Sequence, residues 1–378
     1  MLQKLKKTIN KLALRLMPVS ATKYILFESI PDVSDNTKAV FDEMIRRGLH
    51  NKYKMVWRVN KENEPREKIK NVSYINWKKH PLKWRLYLAG AKAMICCNGF
   101  LLPVKKKQTS FYLSHGTTYK SVKSYYNIPH EIHYALAASE GVKHFLVDEF
   151  RYKEDQIFCL GYPRNDVLTQ PTVDLKPYFK TGYKKIIAWY PTFRQHSIGL
   201  KTASQNALPI IHDAKKAKEL NEYAKEQGVL IVMKPHFAQD ISYIKDLGLS
   251  NICFIDDHFF VEKGITSYQF IAACDGLVSD YSSIYFDFTL CDKPVAAIWE
   301  DIEDYKQNPG LIDNYEYYMK GAEKIYTLDD FKQFLSNVSN DVDVLKTERN
   351  EIKELANYAC DGKNSARVVD FIIEKAGL

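Results

Sequence analysis

His115 stands directly after an apolar run, in Phe111-Tyr112-Leu113-Ser114-His115-Gly116, and Thr117, Thr118, Lys120 and Lys123 follow it. An imidazole changes charge near neutral pH, so at the end of a strand it can serve as a general base. Gly116, Thr117 and Lys120 are of types that suit an acceptor hydroxyl or a phosphate. A turn that happens to hold a histidine is the plainer reading of the same residues. Lys234-Pro235-His236 repeats the combination after the apolar run 229–233. A fixed cation and an imidazole there can stabilise charge on a departing phosphate. In Ser279-Asp280-Tyr281-Ser282-Ser283, Asp280 and Ser282 are N-cap types ahead of an apolar helical run. A helix N-terminus offers free N–H groups to an anion, and Ser282 and Ser283 add hydroxyl donors. An ordinary cap without a ligand remains open. Arg164, in Gly161-Tyr162-Pro163-Arg164-Asn165-Asp166, and Arg194, in Pro191-Thr192-Phe193-Arg194, can each fork onto phosphate oxygens or close an ion pair.

These groups need elements to position them. Strand-like runs at 23–29, 53–60, 92–98, 110–116 and 156–163 alternate with helical patterns at 35–48, 81–91 and 144–150. The alternation restarts with strands at 184–192, 229–236, 251–256, 276–280 and 294–299. Helices at 213–227, 267–275 and 282–291 lie between them, and a helical tail begins near 328. Strand–helix alternation implies parallel sheets covered on both faces, and two sets imply two doubly wound α/β domains. The boundary falls within 166–183, placed at 175/176, so that 19–175 and 176–378 are the expected domains. All five polar motifs sit at strand exits, where open α/β sheets bind ligands.

A chain of 378 residues suits two domains of about 150–200 residues each. The formal charge of +8 fits phosphates, an anionic membrane or nucleic acid. No basic stripe interleaved with aromatics supports the last, so no nucleic-acid partner is expected. Seven unpaired-looking cysteines argue for a reducing compartment. Asp256-Asp257-His258 cannot all face one ion from a strand end, and no metal or cofactor is expected. P-loop, GxGxxG, HExxH and GxSxG patterns are absent. No apolar run is long enough to span a bilayer. Residues 1–18 instead place Leu2, Leu5, Ile9, Leu12 and Leu16 on one helical face, with Lys4, Lys6, Lys7, Lys11 and Arg15 around them, before Pro18. That pattern suits a helix lying on an anionic membrane surface. Docking on the protein's own core is the alternative. Lys105, Lys106 and Lys107 form a basic loop able to meet an anionic headgroup, or simply a solvated turn.

In order, SHGTTYK, GYPRND, YPTFR, KPH, SDYSSIYFDF and KPVAAIWEDIEDY resemble the CDP-glycerol glycerophosphotransferase family of teichoic acid and capsule synthesis. The likeness covers about residues 24–310. Thr118 and Tyr119 stand where the family usually has proline and leucine, Pro235 precedes His236 rather than following it, and Phe193 replaces a common tryptophan. The resemblance implies a GT-B-like fold, two Rossmann-like domains facing a central cleft, with acceptor on the N-terminal domain and CDP-donor on the C-terminal one. It implies transfer of glycerol phosphate from CDP-glycerol, or of ribitol phosphate from CDP-ribitol. The acceptor would be a hydroxyl of a polyprenyl diphosphate-linked saccharide at the cytoplasmic face of a bacterial membrane, and CMP would be released, as in a primase. His115 would then be the general base and His236 would sit on the pyrophosphate with Lys234, Asp280, Ser282 and Ser283. Arg164 and Arg194 are further phosphate-binding candidates, and no metal is implied. A GT-B glycosyltransferase using a nucleotide sugar, and an inactive membrane-surface scaffold, are the alternatives.

Overall fold

The structure, a computed structural model, describes residues 14–18, 24–61, 66–122, 131–179, 182–192, 208–235, 239 and 241–378. Among them thirteen strands form two all-parallel sheets. The first runs in the order β3-β2-β1-β4-β5-β6-β7. Its strands are β1 (Tyr24–Glu28), β2 (Lys54–Val59), β3 (Val72–Asn76), β4 (Ala91–Cys96), β5 (Thr109–Tyr112), β6 (Tyr134–Ala137) and β7 (Ile157–Cys159). The second runs β10-β9-β8-β11-β12-β13. It comprises β8 (Lys185–Trp189), β9 (Val229–Met233), β10 (Ile252–Phe254), β11 (Gly276–Ser279), β12 (Val295–Ile298) and β13 (Glu323–Ile325). Both orders reverse once, between β1 and β4 and between β8 and β11, and such switch points are where doubly wound sheets bind ligands.

The chain divides into two compact units. The described residues up to Thr117, those between Tyr125 and Asp166, and Asp361–Leu378 form the first; those of Thr118–Ser124 and Val167–Cys360 form the second. This differs in three places from a single boundary at 175/176. The main boundary falls at 166/167, the short segment Thr118–Ser124 belongs with the second unit, and the last helix belongs with the first.

In the first unit the strands are apolar on both faces, as sheets covered on both sides require. Ile25, Leu26 and Phe27 of β1 are fully buried. Phe27 stacks on Trp57 of β2 with centroids 5.3 Å apart. The helix Asp35–Arg46 lays Val40, Phe41 and Met44 on this layer. The helix Asn364–Ala376 buries Val368, Val369 and Ile372, each worth about 1.5–3 kcal/mol, and its Phe371 stacks on Phe158 at 4.2 Å. Asp166 fixes its start, accepting from the Asn364 and Ser365 amides, each at 2.8 Å. Burial raises the Asp166 carboxyl above its ordinary range despite those bonds. Gly161, at φ +79°, passes so close that a Cβ there would stand 2.3 Å from the Asn364 amide oxygen.

The second unit's core gathers Ile187, Trp189, Ile231, Met233 and Val278 of the sheet with Leu220, Phe331 and Phe334 of the helices Ala214–Glu226 and Leu328–Ser339. A capping box between Thr327 and Asp330 starts the latter helix. The helix expected over 282–291 is α-helical only over Ile284–Phe288 and tightens to 3-10 over Thr289–Cys291.

Candidate active site

In the first unit, the Leu113 amide donates to the Cys96 carbonyl at 2.7 Å, prolonging β5 beside β4 by one residue. Ser114, 1% exposed, then turns into the left-handed region at φ 55°. A non-glycine residue pays on the order of 1–2 kcal/mol for that conformation, so the surroundings must impose it. Asn36 does so. Fully buried, its Nδ2 donates to the carbonyls of Leu113 at 3.1 Å and Ser114 at 3.0 Å. Its Oδ1 accepts from the Arg164 amide at 3.1 Å. Arg164 completes the frame: one guanidinium nitrogen, Nη1, donates to the His115 carbonyl at 2.8 Å and to Asp35 Oδ1 at 2.7 Å. The Arg164–Asp35 pair is largely buried, with side chains 9% and 15% exposed. The loop's backbone is thus clamped from Asp35, Asn36 and Arg164, and His115 is half-buried at its tip. Gly116 follows at φ 139°, a conformation that side-chain-bearing residues rarely adopt. Thr117 is buried, its hydroxyl 3.4 Å from that of Tyr162.

In the second unit, β11 and β8 pair at the switch point, Val278 beside Trp189. Asp280 follows β11 and is 1% exposed. Its carboxylate accepts from the Thr192 amide at 2.8 Å, from the Thr192 hydroxyl and from the Tyr281 amide at 2.7 Å. Its carbonyl accepts from the hydroxyl of Tyr119, a fully buried side chain. Tyr119 is fixed in turn: its carbonyl accepts from the Ile312 amide at 3.0 Å, and Lys120 forms an antiparallel bridge with Leu311. Tyr281 donates to Asp301 at 2.8 Å and stacks on Tyr305. Ser282 and Ser283 are half-buried, with the Ser282 hydroxyl accepting from the Ile284 amide at 3.4 Å. Lys234 follows β9; its amide donates to the Trp189 carbonyl, and its ammonium lies 2.9 Å from the exposed Asp257. Asp256 caps the helix Asp257–Lys263, accepting from the His258 and Phe259 amides.

The candidate residues therefore fall into three groups. His115, Gly116, Thr117 and Arg164 share the clamp of the first unit. Asp280, Ser282, Ser283, Lys234 and Lys120 belong to the second, with Asp280 and Lys234 each bonded to residues of β8 or the turn after it. His236 and Arg194 lie outside the described residues. Arg164 and Asp280, read as phosphate-binding types, are both engaged in holding a loop. The residues that sequence reasoning passed over are Asn36, Tyr119 and Thr192. A polar residue aimed inward from a helix's first turn looks like a cap in the sequence, and Ser34, not Asn36, is the N-cap here. Tyr119 left a trace only as a departure from the family pattern.

Of the membrane-facing residues, Arg15 and Leu16 are described, and Leu2, Lys4, Leu5, Lys6, Lys7, Ile9, Lys11 and Leu12 lie outside the described residues. Leu16 is 75% exposed. Arg15 Nε donates to the Val104 carbonyl at 3.3 Å, and Lys105 Nζ donates to the Met17 carbonyl at 2.8 Å. No helix among the described residues is long and apolar enough to cross a membrane.

Comparison with known proteins bears on this arrangement. A family model described as CDP-glycerol:poly(glycerophosphate) glycerophosphotransferase matches residues 9–374. A teichoic acid poly(glycerol phosphate) polymerase of Bacillus spizizenii is 26% identical over 317 residues, 76% of each chain. A teichoic acid glycerol-phosphate primase of Bacillus subtilis is 24% identical over 89% of this chain and 88% of its own. Among solved structures, a His-to-Asn variant of the wall teichoic acid polymerase TagF soaked with CDPG superposes with a TM-score of 0.77, at 18% identity, over 100% of this chain and 97% of that one. The fold is GT-B-like in its two Rossmann-like domains.

Proposed function

Since the chain belongs to the CDP-glycerol:poly(glycerophosphate) glycerophosphotransferase family, and is an enzyme of that class, we propose that it transfers glycerol phosphate from CDP-glycerol to a hydroxyl of a membrane-held, polyprenyl diphosphate-linked acceptor. The observation that carries this reading is the clamped histidine loop. Asn36 and Arg164 spend buried hydrogen bonds on three successive carbonyls that end at His115. Such rigid support is what a general base needs to meet a substrate proton in one geometry.

In this mechanism His115 takes the proton of the acceptor hydroxyl. The acceptor oxygen bonds to the phosphorus that carries glycerol, the phosphoanhydride bond to the other phosphorus breaks, and its electron pair leaves with CMP. Gly116, Thr117 and Lys120 serve the acceptor side. His236, Lys234, Ser282, Ser283 and Arg194 face the donor phosphates and stabilise the charge that builds on the leaving group. Asp280 acts from behind, by fixing the turn that carries the two serines. Arg164 likewise acts through His115 and is a positioning residue. The enzyme works at the cytoplasmic face of the membrane, held there peripherally by the apolar and basic faces of residues 2–16.

The test is acceptor-dependent CMP release by the purified protein, with CDP-glycerol and CDP-ribitol in parallel, for the native chain and His115→Ala. CMP from CDP-glycerol, reduced about 10²–10⁴-fold in the variant, is the expected result. A near-native rate in His115→Ala would overturn the base assignment, and CMP from CDP-ribitol alone would overturn the donor.

A further inference from the structure

The helix Pro81–Gly90 of the first unit has apolar residues on both sides. Trp84 and Tyr87 face inward and are buried. Leu82 and Leu86, one turn apart on the outer side, are 73% and 45% exposed. Around them Lys78, Lys79, His80, Lys83 and Arg85 are all exposed. A helix that covers a sheet normally turns a mixed polar face outward. The helix Ala214–Glu226 of the second unit does so, with Lys215, Lys218 and Lys225 interspersed with Glu219, Glu222 and Glu226. The outer face of Pro81–Gly90 has leucines and cations and no acid.

The bias reaches well beyond one helix. Between Glu67 and Glu131 the chain contains eleven lysines and Arg85 but no aspartate or glutamate. The basic loop Lys105-Lys106-Lys107 lies against the end of the same helix: Gln108 Nε2 donates to the Leu88 carbonyl at 2.7 Å and the Ala91 carbonyl at 3.1 Å, while Gln108 Oε1 accepts from the Val104 and Lys105 amides. The loop in turn receives residues 15–17, through Arg15 to Val104 and Lys105 to Met17. Exposed Leu16, exposed Lys106 and Lys107, and the outer face of Pro81–Gly90 are thereby joined on one unit.

We infer that the outer face of the helix Pro81–Gly90, with the loop 105–107, is a second contact with an anionic bilayer. Leu82 and Leu86 enter the headgroup–acyl boundary, and Lys83, Arg85, Lys106 and Lys107 meet lipid phosphates. Apolar side chains beside exposed cations are the combination that binds an anionic interface. A protein partner large enough to cover this face would have to be nearly as one-sidedly acidic as the lipid. The inference rests on the membrane-surface reading of residues 2–16 and adds a site remote from it in the sequence. Binding at two sites multiplies the effective affinity.

The test is co-sedimentation of the full chain with vesicles of phosphatidylcholine containing about one-third phosphatidylglycerol. Leu82→Gln/Leu86→Gln keeps helix propensity and changes only the two exposed leucines. It should weaken partitioning about tenfold or more with an unchanged thermal unfolding transition. Lys218→Glu/Lys225→Glu, on the mixed-charge helix of the second unit, should bind as the native chain does. Leu5→Gln/Leu12→Gln reports on residues 2–16 separately. Native binding by Leu82→Gln/Leu86→Gln overturns the inference and leaves a protein as the occupant of this face. If Leu5→Gln/Leu12→Gln then loses binding, the reading of residues 2–16 stands alone; if neither variant loses binding, both fail.

Discussion

In the first unit, donors reach in to carbonyls: Asn36 and Arg164 hold the backbone of Leu113, Ser114 and His115 by its oxygens. In the second, an acceptor gathers amides: the Asp280 carboxylate holds the nitrogens of Thr192 and Tyr281. The difference follows from what each turn must present. A loop whose carbonyls are tied down from behind is fixed without using the imidazole as the anchor, which suits a base. A turn whose carboxylate is buried behind it keeps that negative charge away from its outer side, which suits the phosphate-binding role proposed for Ser282 and Ser283. In both places the ionic residue of the motif is the anchor, and the proposed ligand-facing roles fall to its neighbours.

This contrast can be broken by substitution. Arg164→Met should have the largest effect. It leaves the Asp35 carboxylate buried without its cation, a loss of about 3–5 kcal/mol in stability, measurable by denaturant unfolding. In whatever fraction stays folded, kcat for CMP release should fall while KM for CDP-glycerol stays near native. A raised KM with native kcat would make Arg164 a phosphate ligand and end the comparison. Asp280→Ala comes next, stranding the Thr192 and Tyr281 donors for about 3 kcal/mol; the expected kinetic signature is a raised KM for donor, because the turn bearing Ser282 and Ser283 loosens. Tyr119→Phe keeps the ring and removes the hydroxyl that donates to the Asp280 carbonyl. About 1–2 kcal/mol should be lost, seen as a lower unfolding midpoint at unchanged m-value. Asp166→Asn should be mildest. The folded Asp166 has a pKa above its ordinary 3.8, so the folded chain holds that proton more tightly than the unfolded one. Stability from this group is therefore full below the ordinary value and is lost as pH rises through the raised one. The asparagine variant should flatten that segment of the pH–stability curve, read from denaturant unfolding at a series of pH values.

Much of the architecture was legible because buried parallel strands are apolar runs, and ten of these stand out between polar turns. β6 did not, since Tyr134-Ala135-Leu136-Ala137 is built of good helix formers and becomes a strand through pairing with β5 and β7. β3 and β13, each at a sheet's edge, did not either: β3 carries Ser73 and Asn76, and β13 is three residues with two charges. The unit boundaries were hidden for a different reason. The bond from Asp166 to Asn364 spans 198 positions, and no local pattern announces it. In the site, residue types were legible and partners were not. An arginine that will grip a phosphate and one that will grip Asp35 are the same letter, and only the fold separates them.

The placing of the helix Asn364–Ala376 bears on how the chain is made. The first unit takes its final helix from residues 361–378, and Gly161 keeps open the space that Asn364 fills. During synthesis the strands from β1 to β7 leave the ribosome early, but the helix whose Phe371 packs on Phe111 of β5, Tyr134 of β6 and Phe158 of β7 follows only after all of Val167–Cys360 is translated. The second unit, contiguous in sequence apart from one short segment, is the first that can close. N-terminal domains usually complete their fold first; here the first unit has all its elements only once the second has been translated.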